Sequence, residues 1–380
     1  MMNWDYAQPV AIRFGKGRAT EVNDAAASMG LHNGLLVTTP SFVRNGQAQR
    51  LVDARDGMLT TVFSQFSPNP DVTEVDACAT AIKANGCEFV VALGGGSAMD
   101  LAKAAASICM GDESIAQYHG TGKTLPGEHL PLIALPTTAG TGSEVTCVSV
   151  LTDRALGKKA PIVSDGFYPS VAIVDPELTY SVPPYVTACT GMDVLSQAIE
   201  GFWSKGHQPI CDACALHAAK LVFQYLPIAA AHPDDEAAYI EAREKMCEAS
   251  IIAGLAFTLP KTTSSHACSF PLTNLYGIPH GEACALTLDY FARINQDAQG
   301  GRVQEFARAL GFANASAMAD AIYKLKASLG LRTDLSDLSL GDEQIAELVR
   351  ISRHPNLYNN PVEISDDMLD AMYRSLVGIG

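Results

Sequence analysis

Along the first half of the chain, short uninterrupted apolar runs at residues 35–39 (LLVTT), 60–63, 89–93 (FVVAL), 132–135 and 171–174 (VAIV) alternate with Ala-rich segments of helical length. Runs that are apolar throughout, rather than at every second position, predict strands buried on both faces. That is the pattern of a parallel sheet covered by helices, an α/β fold of Rossmann-like type. After Val182, Pro183 and Pro184 the pattern changes. From residue 187 onward, apolar positions recur at helical spacing, with predicted helices across GMDVLSQAIEGFWS, residues 211–231 and residues 236–255. The chain thus divides into an α/β domain over residues 1–182 and an all-α domain over residues 183–380, two halves with no flexible linker and an expected cleft between them.

Two loops at the ends of predicted strands carry the chemistry of the first half. The third run enters Gly94, Gly95, Gly96 and Ser97 and continues as AMDLAKAAAS, a helical composition. Strand, glycine turn and helix N-terminus form an anion site, because bare backbone N–H groups approach a phosphate where a Cβ would clash. A tight turn without a ligand is the alternative, and Ser97 and Asp100 on the helix start favour the phosphate cradle. The fourth run leaves as Pro136-Thr-Thr-Ala-Gly-Thr-Gly-Ser-Glu144, a hydroxyl-rich loop placed to hold a ribose or diphosphate, or else a solvated turn. Gly122-Lys123-Thr124 resembles the end of a Walker A loop, but Gln117 replaces its leading glycine and no helix follows.

Composition narrows the partners. A length of 380 residues with 48% hydrophobic and 18% charged residues supports two packed cores. The formal charge of −15 excludes the basic face that nucleic acid or an anionic membrane requires, leaving small molecules. An N-terminus with Trp4 and Asp5 and no long apolar run leads us to expect a cytoplasmic protein. The ten cysteines are scattered, and the Cys211/Cys214 pair lacks a second CxxC for zinc, so we read them as reduced core thiols.

The most chemically suggestive stretch is residues 262–282, TTSSHACSFPLTNLYGIPHGE. It brings His266 and His280 into an apolar, Pro/Gly-punctuated setting, where two imidazoles converge for a divalent metal or stand as separate core histidines. Asp193 and Gln197, at i and i+4 of the first helix of the second half, share one face and complete an O, O, N, N set. Glu200 lies one turn further on, where it could support a ligand. Alternatively, Asp193 only complements the helix dipole.

GGGSAMDLAK, PTTAGTGSEVT, Lys159 with Asp175-Pro176, GMDVLSQAIE, AGLAF and the His266 to His280-Gly281 segment together resemble the iron-containing (group III) alcohol dehydrogenases, in one order and at matching spacings. The resemblance implies a dehydroquinate synthase-like architecture: a Rossmann-like domain binding NAD or NADP and a helical domain holding Fe2+ or Zn2+. It also implies a homodimer or larger homo-oligomer. It places diphosphate contacts on Gly95, Gly96, Ser97 and Asp100, and the hydroxyl-rich cofactor loop on Thr137, Thr138, Thr141 and Thr146. Asn69 and Lys159 become further cofactor contacts, and Asp193, Gln197, His266 and His280 the metal ligands.

Three departures stand out. Gln197 replaces a second helix histidine, Phe270 replaces a histidine near the nicotinamide, and Thr39 occupies the position where NAD-preferring members carry Asp, with Arg44 nearby. The segment from Thr258 through Lys261 and Thr262 is polar where dehydrogenases of simple alcohols are apolar, which suits a sulfonate, phosphonate or carboxylate. Its hydroxyls could instead cap the next helix while Lys261 faces solvent. The SQAIEGFWS and KTTSSHACSFPLT strings resemble the branch that reduces sulfoacetaldehyde or phosphonoacetaldehyde. The expected reaction is metal- and NAD(P)H-dependent reduction of a small anionic aldehyde; the alternatives are a dehydrogenase of simple primary alcohols or diols, and a binding or scaffold protein without catalysis.

Overall fold

In the computed structural model, which describes residues 3–54 and 57–379, the apolar runs form one parallel sheet. Its order among the described residues is β1 (Ala11–Phe14), β8 (Val171–Val174), β5 (Leu132–Pro136), β4 (Phe89–Gly94), β2 (Gly34–Thr38) and β3 (Leu59–Phe63). Successive side chains leave opposite faces of a strand, and both faces are covered. Leu35, Val37, Val90, Ala92, Leu132 and Ala134 enter one core, whereas Leu36, Val91, Leu93, Ile133 and Leu135 enter the other. The helices of this unit are α1 (Val22–Ser28), α2 (Pro40–Arg44), α3 (Gln47–Val52), α4 (Val72–Ala84) and α5 (Gly96–Ile108).

The sequence pattern does not reveal β1 or an antiparallel hairpin, β6 (Val148–Asp153) with β7 (Lys158–Val163). β1 is short and mostly exposed, so it carries no buried apolar run. The hairpin buries only alternate positions of β6. α4 opens with a capping box in which Asp71 accepts from the Thr73 N–H at 3.0 Å and Glu74 accepts from the Asp71 N–H at 2.7 Å. The second oxygen of Asp71 accepts the Arg154 N–H of the hairpin turn at 3.0 Å.

The chain separates into two compact units. One comprises Ala7–Thr138 and Gly142–Tyr180; the other comprises Ser181–Gly380 with Met1–Tyr6 and Ala139–Thr141. The second is helical: α6 (Pro184–Trp203), α7 (Pro209–Ala231), α8 (Glu236–Phe257), α9 (Ser264–Tyr276), α10 (His280–Ile294), α11 (Arg302–Ala309), α12 (Ala315–Ser328), α13 (Asp342–Ile351), α14 (Pro355–Tyr358) and α15 (Asp366–Val377). α6 is the central element, buried on nearly every face and packed by α7, α8 and α10. α7 is, among the described residues, the one helix long and apolar enough to cross a membrane, and 39% of its apolar window is buried inside the protein. All ten cysteines, including Cys211 and Cys214 on α7, are free thiols.

Candidate metal centre and nucleotide site

The metal centre begins with a close approach between helices. Gly281, in the first turn of α10, lies so near α6 that a Cβ there would stand 2.0 Å from the Cys189 carbonyl oxygen and 3.0 Å from the Asp193 Cβ. Only glycine permits this contact, and it carries His280 over Asp193. His266 arrives from the first turn of α9. Its Nε2 is 3.4 Å from Asp193 Oδ1, and the His280 Nε2 is 4.0 Å from the same oxygen.

Both imidazoles have their other nitrogen fixed, so each turns Nε2 towards the centre. His266 Nδ1 bonds the Glu200 carboxylate, and His280 Nδ1 bonds Ser269 Oγ at 3.2 Å. A carboxylate on the far nitrogen of a ligating histidine sets its tautomer and raises its basicity. Glu200 is itself held, accepting from the Ser265 N–H at 2.6 Å and Thr263 Oγ1 at 2.9 Å, while Trp203 Nε1 donates to Thr263 Oγ1 at 2.7 Å. Its side chain is 0% exposed against 35% for His280, so the centre is reached past His280.

A cation fits this arrangement. Asp193 Oδ1 is buried without a hydrogen-bond partner, whereas Oδ2 accepts from Gln197 Nε2 at 3.0 Å. Burial pushes His266 down, but the charges of Cys284 and Glu200 and the nearby Asp193 carboxylate outweigh it and hold His266 well above the usual imidazole range. Burial likewise pushes the Cys284 thiol up, and the two histidines overcome it and hold the thiol below its usual value. Acidic groups around two imidazoles draw in protons when no metal supplies the positive charge.

The structure brings Asp193, His266 and His280 together, and adds Cys284, which the sequence motifs do not single out. One donor atom from each of the four lies within 4.8 Å of the others. The signal is nonetheless present in the sequence: Cys284 follows His280 at i+4, on the same face of α10. Gln197 also lies at the centre, but its amide N–H faces Asp193 and its Oε1 is buried without a partner. Phe270, where the family resemblance leads us to expect histidine, stacks against His280 at 6.1 Å between ring centroids and against His354 at 4.5 Å. His354 Nδ1 accepts the Asn356 N–H at 3.2 Å, which leaves its proton on Nε2. Burial holds it below the usual imidazole value.

Upstream of His266 the anion candidates separate. Thr258 is buried and donates its hydroxyl to the Gly254 carbonyl at 2.7 Å, so it has no hydrogen left for an anion, contrary to the sequence expectation. Thr262 Oγ1 accepts from Asn356 Nδ2 at 2.8 Å and keeps its own hydrogen. Lys261 is exposed on a left-handed turn with φ 68°.

Several of the residues expected to hold the nucleotide lie at the carboxyl ends of the parallel strands, where open α/β sheets bind ligands. β4 runs into Gly95, and α5 starts at Gly96 with the unpaired N–H groups of a helix N-terminus. A Cβ on Gly95 would come 3.1 Å from Thr138 Oγ1, so the glycine keeps this cradle open. Ser97 Oγ accepts the Asn69 N–H at 3.2 Å, and Lys159 Nζ donates to Asn69 Oδ1 at 2.9 Å, which joins three predicted contacts in one cluster. Thr39, at the end of β2, shares a 2.7 Å hydrogen bond with Ser41. Thr137 follows β5, whereas Thr141 falls in the three-residue segment grouped with the helical unit.

Thr146 serves the loop rather than an open site. With Ser143 and the Val148 carbonyl it surrounds Lys103, whose Nζ donates to Thr146 Oγ1 at 3.1 Å and to Ser143 Oγ at 2.8 Å. Burial pulls Lys103 down to about 8 and pushes Asp100 and Glu144 up to about 6 and about 7. Lys103, which no motif in the sequence points to, thus anchors the loop that follows β5.

Residues 9–176 match the family model described as iron-containing alcohol dehydrogenase, and residues 187–377 match the C-terminal model of the same family. The chain belongs to the iron-containing alcohol dehydrogenases and is an oxidoreductase of that class. Among solved structures, the sulfoacetaldehyde reductase of Bifidobacterium kashiwanohense, in complex with NAD+, is 76% identical with a TM-score of 0.96, covering 99% of both chains. More distant relatives include the NAD-dependent methanol dehydrogenase of Bacillus methanolicus, 33% identical over 90% of this chain and 91% of the relative. The 1,3-propanediol dehydrogenase of Klebsiella pneumoniae is 31% identical over 98% of each.

Proposed function

We propose that this chain is an NAD-dependent, metal-dependent sulfoacetaldehyde reductase that forms the corresponding hydroxysulfonate in the cytoplasm. The observation that carries this reading is the 76% identity over 99% of the chain with the sulfoacetaldehyde reductase. The neutral-alcohol relatives stand near 31–33%. Phosphonoacetaldehyde, also an anionic aldehyde, is the second reading suggested by the polar segment before α9.

In this reading Gly95, Gly96 and Ser97 seat the cofactor diphosphate at the start of α5, with Asn69 and Lys159 beside them. Asp193, His266 and His280 would hold a divalent ion, which would supply Lewis acidity towards the aldehyde oxygen, and the nicotinamide would supply the hydride. Glu200 keeps the proton of His266 on Nδ1, so that Nε2 faces the centre. Phe270 packs against His280 and, on its other contact, against His354. Lys261 meets the sulfonate as a point charge and Thr262 donates to it.

Steady-state kinetics test the assignment. Sulfoacetaldehyde should exceed phosphonoacetaldehyde, propanal and the aldehyde of 1,3-propanediol in kcat/KM. Lys261→Ala should lower kcat/KM about tenfold for anionic substrates only, the loss of about 1.4 kcal/mol. Equal or better turnover of a neutral aldehyde would overturn the substrate assignment.

A further inference from the structure

We propose that Cys284 is the fourth protein ligand of the metal centre, giving an Asp193, His266, His280, Cys284 donor set in which Gln197 positions Asp193 instead of ligating. The proposal rests on the reading that a divalent ion serves this site, and it replaces the amide donor that the sequence leads us to expect.

Geometry carries it. Cys284 stands one turn after His280 on α10, is 0% exposed, and has its Sγ 3.8 Å from His280 Nε2. In a tetrahedral site with bonds of about 2.0 Å to N or O and about 2.3 Å to S, neighbouring donors lie roughly 3.3–3.5 Å apart. The distances here are 3.4 Å and 4.0 Å from Asp193 Oδ1 to the two imidazoles and 3.8 Å from His280 to the thiol, with all four donor atoms within 4.8 Å of one another, so the set is gathered around one point and closes on an ion by drawing inward.

The independent observation is Asp193. Its residue is 4% exposed, and Oδ1, the oxygen aimed at both histidines, has no hydrogen-bond partner. A buried carboxylate oxygen left unpaired is costly unless a cation completes it. Oδ2 is already bonded to Gln197 Nε2. A carboxylate offers only acceptors, so the amide must present its N–H to Asp193 and turns its oxygen away from that contact. Gln197 Oε1 is also buried without a partner, but the amide is already committed to Asp193 through Nε2, so the glutamine orients Asp193 while the thiolate completes the donor set.

A thiolate changes the character of the site. Soft sulfur favours Zn2+ and Co2+ over Mg2+ or Mn2+. With Asp193 and Cys284 both anionic, a divalent ion gives a centre of zero net charge, which leaves recognition of an anionic substrate to Lys261 and its neighbours. Zinc sites with thiolate ligands support alcohol dehydrogenation in an unrelated fold, so the donor set suits the chemistry.

Spectroscopy on the full-length protein tests the proposal without relying on turnover. Metal-stripped protein loaded with Co2+ should bind about one ion per chain and show a near-ultraviolet thiolate-to-cobalt charge-transfer band. Cys284→Ser should abolish the band and weaken Co2+ binding about 10- to 100-fold, and Gln197→Leu should retain the band. X-ray absorption of the zinc-loaded parent, which needs no variant, should show one sulfur at about 2.3 Å. Bound cobalt without a thiolate band, a band that survives in Cys284→Ser, or zinc without sulfur would overturn the assignment of Cys284. Failure of the parent to bind any ion would instead overturn the metal reading beneath it.

Discussion

Replacing Glu200 by Gln isolates the contribution of a residue argued to act only through another. Glu200 uses one oxygen to accept from Ser265 N–H and Thr263 Oγ1 and the other to bond His266 Nδ1. A glutamine has one acceptor oxygen. With that oxygen serving the two fixed donors, its NH2 group faces His266 Nδ1 and forces the ring proton onto Nε2, the atom that must be bare to ligate. Loss of such a supporting carboxylate costs about 10- to 100-fold in metal affinity, or about 1.4–2.8 kcal/mol. Competition between the purified variant and a fluorescent chelator at fixed neutral pH measures this directly, with circular dichroism confirming that the variant is folded. A folded Glu200→Gln protein that binds Zn2+ as tightly as the parent would refute the argument that Glu200 sets the His266 tautomer.

Two further predictions concern the α/β unit. Gly95→Ala leaves the backbone in an allowed conformation, because φ is −81°, but puts a methyl 3.1 Å from Thr138 Oγ1; NADH affinity by fluorescence titration should fall about tenfold or more, with metal binding unchanged. Glu144 is 2% exposed and its carboxyl is pushed up to about 7 by burial. A group that holds its proton more tightly when folded stabilises the fold at low pH and loses that contribution as pH climbs from about 4.5 to about 7. Relative to the parent, Glu144→Gln should therefore gain up to about 3 kcal/mol across that window, read from urea unfolding at each pH, and a flat difference would show that Glu144 titrates normally.

Legibility in the sequence follows burial. Strands covered on both faces, such as β4 and β5, write continuous apolar runs and are readable almost residue for residue. β1 and β7 are largely solvated and β6 buries only alternate positions, so they leave no such trace. At the centre, the spacing of Asp193, His266 and His280 with their Pro/Gly punctuation is readable, and so is Glu200 one turn beyond Gln197. Cys284 is not, because a single cysteine in a helix reads as a core thiol until the fold shows what it faces. Thr258 and Thr146 show the converse: a hydroxyl in a motif says nothing of whether its hydrogen is already committed, here to the Gly254 carbonyl and the Lys103 environment. Tertiary partners decide that, and they come from distant parts of the chain.

Hydride transfer in protein of known metal content bears on the proposed mechanism without an intermediary. Protein stripped by chelation and shown by elemental analysis to be metal-free should leave NADH unoxidised in the presence of sulfoacetaldehyde, and about one equivalent of Zn2+ or Fe2+ per chain should restore turnover. Full NADH oxidation by the metal-free protein would contradict a metal-dependent reductase built on Asp193, His266 and His280.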